Sequence, residues 1–334
     1  MRRERKAIMR LFGVTVTRLW LLSLLGVVLG STPASAQVRA YVTNSGSGSV
    51  SVIDVATSTV VATVPVGRAP VAVAVTPDGT HAYVTNAGSN SVTVINTATN
   101  KVLTNVLVGA GAAGVAITPD GTRAYVANAA SRSVSVIDTS TNTVLTTVPV
   151  GNMPKGVAIT PDGAHVYVVN VVSKSVSVIA TASNTVMATI HVGLFAPVEV
   201  AITPDGTRAY VTAAGSNSVA VIDTANNKVL TNVTVGRGPA GVAITPDGTR
   251  AYVADAAHRD GEGFVTVVQT ATNTVLTTVD VGFLTTPVGV AVTPDGTKVY
   301  VTTGSEFAVI ATATNTVVVR TTVGRGASGV AMKH

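Results

Sequence analysis

No cysteine occurs among the 334 residues. Disulfide staples, thiolate catalysis, cysteine zinc sites, iron–sulfur clusters, heme attachment through C-x-x-C-H and acylation of a leader cysteine are therefore excluded together, because each needs a sulfur. Aromatic residues are scarce at 4%, and the one tryptophan, Trp20, lies near the N-terminus, so base-stacking surfaces of the kind that bind single strands have little to be built from. Charged residues reach only 11%, while 46% of the chain is hydrophobic and the mean hydropathy is +0.47, which is ample material for a packed core and argues against disorder. The formal charge of +6 and an isoelectric point near 9.7 would suit a nucleic-acid partner, so the location of the basic residues decides that question.

Much of the basicity sits at the start. Arg2, Arg3, Arg5, Lys6 and Arg10 precede an apolar run from Leu19 to Gly30 that ends in Ala34-Ser35-Ala36, the layout of a secretory signal peptide. About a dozen apolar residues are too few to span a bilayer, which takes roughly 20. Cleavage after Ala36 would remove six basic residues and one acidic one, leaving 16 Lys and Arg against 15 Asp and Glu. A mature chain this close to neutral carries no electrostatic footprint for nucleic acid. Arg2-Arg3 lacks the rest of a twin-arginine motif, so residues 1–36 read as a general export signal and the mature chain as periplasmic or secreted.

After the leader the sequence repeats. Thr-Pro-Asp-Gly occurs six times, with Asp78, Asp120, Asp162, Asp205, Asp247 and Asp295 spaced 42, 42, 43, 42 and 48 residues apart. All seven tyrosines share one register, each followed by valine, and a Val-Gly pair also recurs seven times. One unit, 113–150, contains four β-patterned runs: Ala113 to Ile117, Arg123 to Asn128, Ser133 to Ile137 and Thr143 to Val150, called here a to d. Thr-Pro-Asp-Gly makes the a–b turn, with proline preset for its second position and glycine tolerating the positive φ that closes it. Thr139-Ser140-Thr141-Asn142 makes the c–d turn. Pro65 and Pro149 cannot donate to a ladder, so d is the outer edge and the Gly- and Ala-rich strand a the crowded inner one.

Four antiparallel strands every 40 to 45 residues are a β-propeller blade, a sheet that must pack against neighbours to bury both faces. Residues 37–334 are thus expected to form one all-β domain, a seven-bladed propeller. The N-terminus begins at a strand b and the C-terminus ends after a strand a (Gly329 to Met332), so the termini are expected to complete one blade and close the ring.

Tyr41-Val42-Thr43-Asn44 and Tyr83-Val84-Thr85-Asn86, with drifted copies such as Tyr125-Val126-Ala127-Asn128, resemble the signature of the YVTN family of β-propeller repeat proteins, over residues 38 to 332. The resemblance implies a propeller fold, an exported or surface location in bacteria or archaea and diverse roles. It transfers no catalytic residue.

Alternating strand direction puts the a–b and c–d turns on one face and the b–c and d–a loops on the other. Every departure from the 42-residue period falls on the second face: near Leu194-Phe195, near Phe283-Leu284, in the loop from Asp255 to Gly263, and around Gly304 to Glu306. Repeat proteins commonly bind where loops vary, although exposed loops also drift. On that face Arg68, Arg237 and Arg325 follow the Val-Gly pair, where a guanidinium can grip a carboxylate or phosphate. Glu199 replaces the usual Gly or Ala at the start of an inner strand, with Lys155 one blade away. Phe195, Phe283 and Phe307 lie in or beside variable loops, either as an apolar contact patch or as a plug of the channel mouth. The polar loop His258, Arg259, Asp260, Gly261 and Glu262 has no calcium-loop spacing and reads as solvated. Six or seven equivalent copies of Asp and Tyr point to a structural task, since a catalytic group needs a unique environment.

These observations lead to the expectation of an exported, monomeric, non-catalytic binding or scaffold propeller without metal or cofactor, engaging a protein, glycan or small anion through the variable face. The second reading is an enzyme, or a subunit of a periplasmic dehydrogenase, using the channel mouth, since propellers resembling this one include lactonases and lyases. Glu199, Lys155 and Arg237 are the set whose convergence would favour it.

Overall fold

The computed structural model describes residues 38–256, 262–283 and 285–333. The export signal expected over residues 1–36 lies outside the described residues, as do His258, Arg259 and Asp260 of the polar loop.

The described chain is all-β, with 27 strands and one short 3-10 turn at Ala214–Ser216. Five sheets have four antiparallel strands each and a sixth has seven. In the unit read above, the strands are Ala112–Ile117, Arg123–Asn128, Ser133–Asp138 and Thr143–Pro149, hydrogen-bonded in that order, so strand d is an edge as its prolines require. Strands b and c are buried on both sides, whereas strand d exposes most of its residues. No helix among the described residues is long and apolar enough to cross a membrane.

The count is 27 and not 28 because one 18-residue strand, Thr316–Lys333, does two jobs. Its first part pairs with Gly304–Ala311, and its end pairs antiparallel with Arg39–Asn44, in register Ala40↔Met332, Tyr41↔Ala331 and Val42↔Val330.

The core lies between sheets. Tyr125, Val134, Val136 and Val148 of one sheet pack with Val157, Val166, Val168 and Ile179 of the next. Burial of each valine or isoleucine is worth about 1.5–3 kcal/mol, so the stacking of sheets supplies the main apolar stabilisation. The seven tyrosines are fully buried, and the hydroxyls of several reach into the next unit: Tyr83 Oη donates to Asn142 Oδ1 at 2.6 Å, Tyr125 to Asn184 at 2.7 Å and Tyr210 to Asn273 at 2.7 Å. Each of those asparagines has φ between 53° and 56° at the c–d turn. Within the a–b turn, Thr118 Oγ1 and the Thr122 amide both donate to Asp120 Oδ1, which holds that carboxyl below the usual carboxylate range.

Candidate functional site

Inner strands from successive units touch backbone to backbone. A side chain at Gly114 would strike the Lys155 carbonyl, and one at Gly156 would come within 2.6 Å of Glu199 Oε1. Strand-b threonines bridge the same seams. Thr212 Oγ1 donates to the Ala240 carbonyl at 2.6 Å, Thr302 Oγ1 to that of Ser328 at 2.8 Å and Thr43 Oγ1 to that of Val71 at 3.0 Å. The inner strands enclose a cavity of about 410 Å³, within the usual range for small-molecule sites. Its walls are mostly Val, Ala and Gly, and its polar side chains are Ser45, Ser328, Lys155 and Glu199.

Glu199 and Lys155 are the two ionisable residues of the lining. They come from neighbouring inner strands, Pro197–Ile202 and Pro154–Ile159. The half-buried Glu199 carboxyl rests over Gly156, and the Val200 amide donates to its Oε1 at 3.2 Å. Burial pushes its pKa up to about 7, against the opposing pull of the Val200 amide, the Lys155 ammonium and the Val157 amide. The cavity thus holds a carboxyl that gains and loses a proton near neutrality beside one cation. Arg237, the third member of the expected set, is exposed and outside the cavity lining.

Phe195 shares the structural position of Arg68 and Arg325, which the sequence alone did not reveal. Each is the corner of a d–a loop whose carbonyl accepts an amide from the adjoining b–c turn: Gly88 N to Arg68 O, Gly215 N to Phe195 O and Gly46 N to Arg325 O, all at 3.0 Å. Ala110 and Asn152 fill the same corner in other units. The three side chains are exposed, and the Lys174 amine stands 3.9 Å from the Phe195 ring centroid. The Ser328 hydroxyl donates to the Val71 carbonyl at 3.0 Å, so the strands carrying Arg325 and following Arg68 are neighbours.

Phe307 does not line the mouth. It is fully buried and stacks on Tyr300 with centroids 5.3 Å apart, filling the core as a bulky apolar side chain must when its strand faces a neighbouring sheet. Phe283 ends the strand Thr274–Phe283 and is paired with Glu262, which is half-buried at the start of Glu262–Gln269. Glu262 is not among the described residues that line the cavity.

Asp255 is the residue that sequence reading undervalued. It ends a strand b where four other units have Asn44, Asn86, Asn128 and Asn170, and it is 1% exposed. Thr266 Oγ1 donates to its Oδ2 at 2.6 Å, while Oδ1 has no partner. Burial pushes its pKa up to about 7. The signal was present as a single Asn-to-Asp departure in the repeat.

Comparison with known proteins gives the setting. The family model described as the cytochrome D1 heme domain matches residues 36–246. No curated protein matches the chain. Among solved structures, hydrazine synthase of Kuenenia stuttgartiensis is similar at 26% identity and a TM-score of 0.73, over 78% of this chain and 88% of that one. A functionally unknown protein from Desulfotomaculum acetoxidans DSM 771 is 20% identical with a TM-score of 0.78, over 89% of this chain and 99% of that one. The dihydro-heme d1 dehydrogenase NirN, in complex with DHE, is 16% identical with a TM-score of 0.66, over 88% of this chain and 74% of that one, a likeness of fold. The family match overturns the expectation of a non-catalytic scaffold working through its variable loops. It favours the second reading, an enzyme or a subunit of a periplasmic dehydrogenase using the channel mouth.

Proposed function

The chain belongs to the cytochrome D1 heme domain family, and from that premise we propose that it serves an exported oxidoreductase system, with its inner cavity as the place where a tetrapyrrole of the heme class is taken up. The observation that carries this reading is that the matched segment contains both Lys155 and Glu199, the ionisable residues of the cavity. NirN, named as a dihydro-heme d1 dehydrogenase, lends support through its fold.

The cavity does not fit an iron-ligating pocket. Heme iron is held by His, Cys, Met or Tyr, and the lining contains none of these. No step through the metal is therefore derived. The chain's own residues supply two other things. Glu199 can give or take a proton at an atom of the occupant at neutral pH, and the Lys155 ammonium stabilises negative charge in a low-dielectric site.

The same proposal includes a seven-bladed ring of the YVTN type, with export directed by residues 1–36. The register of Arg39–Asn44 with the end of Thr316–Lys333 supports closure between the termini. The succession of threonine bridges between inner strands supports it too.

Residues 37–334, titrated with hemin and with metal-free mesoporphyrin while Soret absorbance and tyrosine fluorescence are followed, are expected to bind at least one of the two with micromolar affinity. A folded protein that binds neither overturns the reading.

A further inference from the structure

Building on that reading, we infer that the inner cavity recognises its occupant by a carboxylate, held by Lys155 and coupled to proton uptake at Glu199, and is indifferent to whether the occupant carries iron.

The groups in the cavity dictate this. Its walls are aliphatic and glycine-lined, so an occupant is oriented by the few polar side chains, and Lys155 is the cation among them. In the equivalent strand positions of other units stand Val71, Val198, Ala113, Ala240, Val288 and Ser328, so the amine is not required by the fold. Glu199 likewise stands where Gly114, Gly156, Gly241, Gly289 and Gly329 allow the inner strands to touch. Two departures from the repeat, one basic and one acidic, converge on one cavity. Val200 and Val157 turn amides toward the Glu199 carboxyl and are engaged by it, so an entering anion is held by Lys155.

A second carboxylate entering beside Glu199 repels its charged form, and the proton is retained or taken from solvent. The carboxyl then becomes a donor in place of a repelling anion.

Calorimetry and absorbance titration on residues 37–334 test the inference with four probes: mesoporphyrin, its dimethyl ester, hemin and isophthalate. The expected result is that mesoporphyrin and hemin bind alike and that the ester binds at least about tenfold more weakly, as the loss of one charge-assisted contact predicts. Lys155→Val, which restores the residue found at Val198, is expected to weaken the free acids by a similar factor without weakening the ester further. Heats measured in phosphate and in Tris at pH 7.5 should differ by the uptake of up to one proton, and Glu199→Gln should abolish that difference.

If the ester binds as well as the acid, or if hemin alone binds with the Soret shift of ligated iron, carboxylate recognition is wrong and the tetrapyrrole reading stands. If isophthalate binds through Lys155 and no porphyrin does, carboxylate recognition stands and the tetrapyrrole reading is wrong. Binding by no probe overturns both, and buffer-independent heats overturn the coupling to Glu199.

Discussion

Asp255 shows how one residue can depart from a repeat at a measurable cost. In the regular units the asparagine amide donates to two hydroxyls, as Asn128 does to Ser133 at 3.2 Å and Ser135 at 2.9 Å. In this unit the first of those hydroxyls is replaced by Phe264, which pairs with Asp255 in the ladder, and the second is Thr266, which donates to the carboxylate. The folded protein holds the Asp255 proton up to about pH 7, whereas an unfolded aspartate releases it near pH 4. Between those values the folded state binds more protons, so this group's stability contribution falls as pH rises, by roughly 3–4 kcal/mol in total, and is flat above pH 7. Asp255→Asn is accordingly expected to melt higher than the wild type at pH 8 and to show a shallower loss of Tm from pH 4 to 7. Equal slopes would show that the carboxyl is not held protonated. Glu199 titrates with the same sign in both proteins, so it cancels from the comparison.

At the scale of the element, the c–d turn combines two tasks that the sequence shows only separately. In five units its asparagine adopts the left-handed conformation that Asn tolerates better than most residues, and its side chain accepts the hydroxyl of a tyrosine 59 to 63 residues earlier. Register alone suggests that the tyrosines pack against neighbouring sheets, and it also marks the asparagine as a turn residue. The bond between them is invisible until the units are stacked. Asn184→Gly keeps the backbone conformation and leaves the Tyr125 hydroxyl unpaired, which costs about 1–3 kcal/mol. Asn184→Ala loses the bond and also strains the turn at φ 53°, so it should be the less stable of the two in urea denaturation. An order of stability with alanine above glycine would show that the turn conformation contributes little. The a–b turns were read more fully because proline, aspartate and glycine act there within four residues.

For the whole molecule, the decisive element is the strand Thr316–Lys333, whose first part pairs with Gly304–Ala311 and whose end pairs with Arg39–Asn44. Deleting residues 329–334 removes the partners of Ala40, Tyr41 and Val42 and exposes an otherwise buried strand edge. A fall in Tm of well over 5 °C is expected, and an unchanged melt would refute closure between the termini. Period, turn chemistry and strand alternation are local properties, so the sequence by itself determined the β class, the strand order within a unit, the edge position of strand d and the variable face. It also marked Glu199 as a departure from the pattern, with Lys155 one unit away. What only the tertiary structure decided is which departures meet. Lys155 and Glu199, 44 residues apart, share the inner cavity because equivalent strands of adjacent units touch there. Arg237 stays at an exposed corner and Phe307 enters the core. Burial, which follows from the packing of distant units, also sets the proton affinities of Asp255 and Glu199, and no reading of neighbouring residues could have supplied it.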